Sequence, residues 1–340
     1  MTDPLRGGSA QPLATLHDVG LYDLDGVLYL GADAVPGAPE AVASAAAAGL
    51  RAAYVTNNAA RTPAAVADHL SELGIPAQVQ DVVTSAQAAA TLVAGLVPAG
   101  SAVLVVGGEG LVVALRERGL VPVDEAAGAA AVVQGFSPDV GWRLLAQGAY
   151  AVAAGLPWVA SNMDLTVPTA GGTAPGNGSL VAAVAAAGGR GPDAVAGKPQ
   201  TSMHRESVER TGARSPLVIG DRLDTDIEGA RRAGVDSLLV LTGVSGPRDL
   251  VLAPKALRPT YVSIDLGTGL LEPHPGVQES GGGWACDGWT VTVPRSEGQV
   301  IVAGGGSLVD GLRALCVAWW TADRTAGVNA VGPALSRIGW

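Results

Sequence analysis

Val19-Gly20-Leu21-Tyr22-Asp23-Leu24-Asp25-Gly26-Val27 is a short apolar run that stops at two carboxylates and a glycine. An uncharged run of that length, closed by a turn signal, predicts a buried strand. In a parallel α/β sheet ligands sit outside the carboxyl ends of the strands, so Asp23 and Asp25 are expected to project into that crevice. An aspartate placed there can attack phosphorus as a nucleophile. A second one on the same side can protonate the leaving oxygen and then activate water, a role worth about 10^2 to 10^4 in rate. Taken alone, a solvated Asp-Gly turn explains the motif as well. A calcium loop fits poorly, because no acidic residue occupies the later ligand positions of such a loop.

The same grammar repeats outward. Apolar runs at 52–55, 102–106, 130–133, 158–160, 194–196, 217–219 and 237–241 alternate with Ala-rich stretches of helical length. Repeated βα units of this kind feed a parallel sheet. Thr62-Pro63 reads as an N-cap and first helical residue, and Thr84 as the cap of a helix running to Gly95. Three of the runs end in chemically apt residues. Thr56-Asn57-Asn58 puts a hydroxyl and two amides at a strand terminus, and uncharged donors orient phosphoryl oxygens without neutralising a metal or a nucleophile. Gly197-Lys198-Pro199 offers a lysine in a chain that has only one other, Lys255, and a cation there balances nucleophile plus phosphoryl charge. Gly220-Asp221-Arg222-Leu223-Asp224-Thr225-Asp226 ends a strand in an acidic loop. Oxygen from Asp23, the Asp25 carbonyl and Asp221 suits Mg2+, which keeps several waters and binds substrate phosphate.

As an ordered set, Asp-x-Asp-Gly, Thr-Asn-Asn, Gly-Lys-Pro and Gly-Asp-x4-Asp resembles the haloacid-dehalogenase (HAD) superfamily of phosphatases, in the version with a large α/β cap found in the NagD and 4-nitrophenylphosphatase-like group. The resemblance covers about residues 18–271. It implies an α/β fold, a Rossmann-like parallel-sheet core with an inserted α/β cap and a small C-terminal α+β module. It further implies Asp23 as nucleophile, Asp25 as general acid/base, Thr56, Asn57 and Asn58 around the phosphate, Lys198 as the charge-balancing lysine, Asp221 as a metal carboxylate and Asp226 as support behind the ligands. The second aspartate, Asp25, excludes the metal-independent dehalogenase branch.

The expected division is core at 13–85 and 192–275, cap at 86–191, and a Trp-rich module at 284–340. Ser280-Gly281-Gly282-Gly283 looks like a linker into that module, which holds five of the seven tryptophans and both cysteines, Cys286 and Cys316. The cap loop 161–179 resembles the family's specificity region, so Asn162, Asp164 and Gly176 are expected near the leaving group. That loop has no aromatic residue, which favours a small hydroxylated leaving group over a stacked ring. Gly107-Gly108-Glu109-Gly110 reads as a plain turn, since Glu109 would repel a pyrophosphate. The four histidines share no metal spacing.

Composition limits the partners. Lys+Arg 21 against Asp+Glu 31 gives a net charge of -10, which argues against nucleic acid and anionic membrane surfaces. No stretch reaches the ~20 apolar residues of a membrane span, and the first residues hold no signal-peptide core, so a cytoplasmic location is expected. Across the whole chain the resemblance is to actinobacterial glycerol 3-phosphate phosphatases, whose C-terminal region is likened to a piece of an acetyltransferase. It implies a Mg2+-dependent phosphomonoester hydrolase working through an aspartyl-phosphate on a small phosphorylated metabolite, glycerol 3-phosphate. Phosphoglycolate, another sugar phosphate and pyridoxal phosphate are the alternatives. A tail without transferase activity is expected, and a homodimer is left open. A reading of another class makes the chain a binding or regulatory protein acting through its C-terminal module.

Overall fold

The computed structural model describes residues 4–169, 171–294, 299–322 and 328–340. They form two compact units, residues 1–52 with 213–340, and residues 53–212. The expected α/β parallel-sheet architecture is borne out in each.

In the first unit, four parallel strands lie in the order Tyr261–Ser263, Asp236–Val240, Pro216–Gly220, Val19–Tyr22. The register pairs Tyr22 with Ile219 and Gly220 with Leu239, so the carboxyl ends of the two motif-bearing strands are level. All four residues of Val19–Tyr22 are buried, as expected of a strand covered on both faces.

The C-terminal part differs from the sequence expectation in one respect. Ser280-Gly281-Gly282-Gly283 is a hairpin turn, with Ser280 paired to Gly283 and φ values of 57° and 82° at the two central glycines. Positive φ at both centres is what a tight two-residue hairpin requires, and glycine adopts it without strain. The sheet that follows is antiparallel, in the order Gln278–Ser280, Gly283–Cys286, Trp289–Thr292, Ile301–Gly304, and is backed by helices Leu308–Thr321 and Val331–Ile338. Residues 295–298 and 323–327 of the expected 284–340 module lie outside the described residues. Trp284, Trp289, Trp319 and Leu315 join Leu239 and Val262 of the parallel strands and Leu250 of the helix Pro247–Val251 in one apolar cluster.

A buried polar clamp ties the same pieces together. Arg313 donates to Val262 O at 2.9 Å, to Asp310, and to His274 Nδ1 at 2.9 Å, while His274 Nε2 donates to Gly269 O at 2.8 Å. A guanidinium only donates, so Nδ1 is the acceptor, Nε2 holds the proton and the ring is neutral. Burial, with the Arg313 charge added, outweighs the Gly269 carbonyl and pushes the His274 pKa down to about 4. The other neighbours on this ring are Tyr261, at 5.1 Å between centroids, and the Asp310 carboxylate beyond Arg313. A histidine whose pKa is depressed in the fold binds fewer protons there than in the unfolded chain. Its stabilisation is therefore present above about pH 6.5 and is lost as pH falls toward 4, by roughly 3 kcal/mol. Urea unfolding at pH 7 and pH 4 checks this: the wild-type protein should lose roughly 3 kcal/mol more than His274→Gln over that interval.

In the second unit, Tyr54, Val55 and Thr56, at the end of the strand Arg51–Thr56, pair in parallel with Val82–Thr84. A separate five-stranded parallel sheet runs Ala194–Val195, Trp158–Ala160, Ala131–Gln134, Ala102–Val106, Val121–Val123. Helices Trp142–Ala153 and Asn177–Gly188 cover one face of it, packing Ala151, Val152, Val181 and Val184 on Leu104, Val106, Val132 and Trp158. The caps follow the sequence: Thr62 accepts from Ala65 N, and Thr84 and Gln87 form a reciprocal capping box. The loop after Ala160 contains an antiparallel pair, Thr166–Thr169 with Gly172–Pro175, which its prolines and glycines concealed. Among the described residues no helix is long and apolar enough to cross a membrane.

Candidate active site

Two groups of the expected residues come together, one in each unit. In the first, Asp23 follows the Val19–Tyr22 strand, its N–H donating to Ile219 O at 2.8 Å so that the ladder runs one residue past the strand. The chain then turns sharply through Gly26, at φ 86°, with Gly26 N–H donating to Tyr29 O at 2.9 Å. Asp25 is exposed on this turn. Asp221 follows the Pro216–Gly220 strand and is 0% exposed. The acidic loop then sorts its carboxylates. Asp224 faces outward in a two-point pair with Arg222 at 3.0 and 2.8 Å, and those bonds hold its carboxyl below the usual carboxylate range. Asp226, on the wide helical turn Leu223–Ile227, points inward and accepts from Arg222 N at 3.2 Å.

Carboxylate oxygens of Asp23, Asp221 and Asp226 lie within 4.8 Å of one another, which at an effective dielectric of about 20 costs at least about 3.5 kcal/mol of repulsion for each ionised pair. A cation removes that cost. The donors are all hard oxygen, which fits Mg2+. Asp226, expected behind the ligands, thus has an oxygen in the same group, whereas the Asp25 carboxylate does not.

The loop after Asp236–Val240, which sequence reasoning did not single out, holds this arrangement in place. Val244 N–H donates to Asp221 Oδ2 at 2.7 Å, Ser245 N–H to Asp221 O at 3.0 Å, and Thr242 Oγ1 to Gly26 O at 2.6 Å. A Cβ on Gly243 would stand 2.0 Å from Asp221 Oδ2, so the backbone passes against the carboxylate itself. Two of these contributions are main-chain N–H groups and one is a missing Cβ, none of which has a side-chain signature.

The second group is in residues 53–212. Thr56 is buried at the end of its strand and its Oγ1 accepts from Asn58 N at 3.0 Å, which leaves the hydroxyl proton for donation. Asn58 is exposed and closes a small turn through Ala60 N. Lys198 is 5% exposed, with Nζ donating to Val55 O at 3.1 Å, and its peptide bond to Pro199 is cis. Asn57 is hydrogen-bonded to Lys198 and to Asp164, and Asn162 to Asn57. Gly176 caps the helix Asn177–Gly188, where a Cβ would meet Asp164 O at 2.4 Å, so its part is to let two backbones touch.

Comparison with known proteins agrees with the motifs. A family model of haloacid dehalogenase-like hydrolases matches residues 20–121, a HAD-hydrolase-like model matches 195–268, and a GCN5-related N-acetyltransferase-like model matches 286–340. A D-glycerol 3-phosphate phosphatase of Mycobacterium tuberculosis is 47% identical over 281 residues, covering 80% of this chain and 78% of that protein. An acid sugar phosphatase of Staphylococcus aureus is 35% identical over 254 residues, covering 74% and 96%. The crystal structure of a glycerol phosphate phosphatase from M. tuberculosis in complex with magnesium is 42% identical, with a TM-score of 0.87 over 97% of this chain and 99% of that one. With the acidic cluster and the ordered motifs already in place, these matches show that the chain belongs to the haloacid dehalogenase-like hydrolases.

Proposed function

We propose that this chain is a Mg2+-dependent phosphomonoester hydrolase whose substrate is glycerol 3-phosphate. The observation that supports it most is the meeting of the Asp23, Asp221 and Asp226 carboxylates within 4.8 Å. The substrate rests on the relative that is named a D-glycerol 3-phosphate phosphatase. In this reading Asp23 and Asp221, with Asp226 and the Asp25 carbonyl, hold the ion. The ion supplies charge neutralisation for the phosphoryl oxygens and the nucleophile.

Asp23 attacks phosphorus, and the bond from phosphorus to the glycerol oxygen breaks as Asp25 gives that oxygen its proton. Asp25, now a carboxylate, takes a proton from water, which attacks the aspartyl-phosphate and releases inorganic phosphate from Asp23. Thr56 and Asn58 donate to the phosphoryl oxygens and Lys198 offsets their charge. Residues 13–85 and 192–275 serve as the catalytic core, 86–191 as the cap whose Asn162, Asp164 and Gly176 region selects the leaving group, and 284–340 as a structural module. The enzyme acts in the cytoplasm on a small phosphorylated metabolite, alone or as a homodimer. Burial of Trp284, Trp289 and Trp319 at 5–7% exposure disfavours a partner-binding role for the tail.

The test is phosphate release from glycerol 3-phosphate, phosphoglycolate, hexose phosphates and pyridoxal phosphate with Mg2+ present. Glycerol 3-phosphate should have the highest kcat/KM, and EDTA should remove at least 99% of the activity, an effect of about 3 kcal/mol on the barrier. A preference for phosphoglycolate, or activity indifferent to EDTA, overturns the reading.

A further inference from the structure

The amide of Asn57 has both of its N–H donors, and its oxygen, engaged by protein. Its Oδ1 accepts from Lys198 N–H at 2.8 Å, and its Nδ2 donates to Lys198 O and to Asp164 Oδ2, both at 3.2 Å. A primary amide has two N–H donors, and both are accounted for. The side chain therefore grips both main-chain groups of Lys198 and one carboxylate oxygen of Asp164, and has no N–H for a phosphoryl oxygen. Its main-chain carbonyl is equally occupied, accepting from Asn162 Nδ2 at 2.7 Å and from Ser85 Oγ at 2.6 Å. The approach is built into the neighbouring residue. A Cβ on Gly197 would stand 2.6 Å from Asn57 Oδ1 and 2.6 Å from Ser161 O, so only glycine before Lys198 lets the three segments close on one another.

The loop that Asn57 holds is itself braced. Asn162 Oδ1 accepts from Asp164 N at 3.1 Å, and Asn162 O accepts from Asn177 Nδ2 at 2.7 Å, at the first turn of the helix Asn177–Gly188. One residue thus joins the end of the Arg51–Thr56 strand, the lysine after Ala194–Val195 and the loop after Trp158–Ala160.

We infer that the Asn57 side chain is a positioning group that sets Lys198 and the Asn162–Asp164 loop in register with one another, and is not a phosphate ligand. The inference rests on the phosphatase reading, in which Lys198 offsets phosphoryl charge and the loop chooses the leaving group. Misplacing a cation by about 1 Å costs on the order of 10^2 in rate with little effect on the fold.

The test is a double-mutant cycle on glycerol 3-phosphate turnover, with inhibition by inorganic phosphate as a second readout. Asn57→Ala should lower kcat 10- to 100-fold and leave the inhibition constant of phosphate within about twofold. In a Lys198→Ala background, measured against its own residual rate, the same change should cost less than about threefold. Additive losses together with a phosphate inhibition constant raised tenfold would make Asn57 a phosphate ligand and overturn the inference. Full activity in Lys198→Ala would instead remove the lysine's role and the inference with it. Should Asn57→Ala fail to fold, the exchange of partners decides: Asn57→Asp alone sets two carboxylates against each other, and adding Asp164→Asn should recover at least tenfold of the lost kcat. No recovery would count against the positioning role.

Discussion

Asp23→Asn should lose turnover by on the order of 10^4-fold or more while keeping its fold. Nucleophile removals that leave binding and electrostatic stabilisation in place have effects of this size, and the residual rate reports those remaining terms. The substitution is nearly isosteric, and the Asp23 N–H that continues the ladder to Ile219 O is untouched. Asparagine also removes one negative charge from a group of three carboxylates within 4.8 Å, so in the absence of Mg2+ the variant should be as stable as the parent or slightly more so. The measurement is phosphate release at saturating Mg2+ beside thermal unfolding in EDTA. A variant that unfolds at the parent's temperature and turns over within tenfold of its rate would eliminate the covalent route and return Asp23 to the role of a simple metal ligand.

Most of the arrangement behind that prediction was legible because its signals are local. Each motif follows an apolar run, and the caps at Thr62 and Thr84 are fixed by residues within three positions of them. What the sequence concealed depends on partners distant in the chain. Ser280-Gly281-Gly282-Gly283 reads alike as a linker and as a hairpin turn. The strand before it, Gln278–Ser280, is exposed along its length, so no apolar alternation announces it. Asn57 advertises two donors and an acceptor, but their use was decided by Gly197-Lys198, 140 and 141 positions away. Asp226 was read as support because spacing alone does not say which way a wide helical turn aims its carboxylates. The loop that fixes Asp221 went unnoticed for the reason that two of its contributions are backbone N–H groups and a third is the absence of a side chain.

Gly243→Ala tests that last point, and it should damage the acidic cluster through a single added methyl group. The φ of Gly243 lies outside the left-handed region, so alanine meets no backbone penalty and the effect is steric. The added carbon would fall 2.0 Å from Asp221 Oδ2, 2.6 Å from its Cγ and 2.8 Å from its Cβ. Asp221 has nowhere to retreat. Its Oδ2 is held by Val244 N–H at 2.7 Å, and on another side lies Gly26, whose own Cβ position is 2.5 Å from the same oxygen. The carboxylate must rotate away from Asp23 and Asp226, or the loop must move and release both Val244 N–H and the Thr242 hydroxyl that bonds Gly26 O. Either way, under the proposed metal-dependent reading, Asp221 is lost as a charged ligand. The Mg2+ concentration for half-maximal activity should rise at least tenfold, about 1.4 kcal/mol, and kcat should fall about 10^2-fold even at saturation. Gly246→Ala is the matched control in the same loop, because its added carbon would meet only Asp249 Oδ2, at an ordinary 3.7 Å. Equal, small effects from both alanines would mean that the loop yields without disturbing Asp221, and that the close approach at Gly243 does not set the metal affinity.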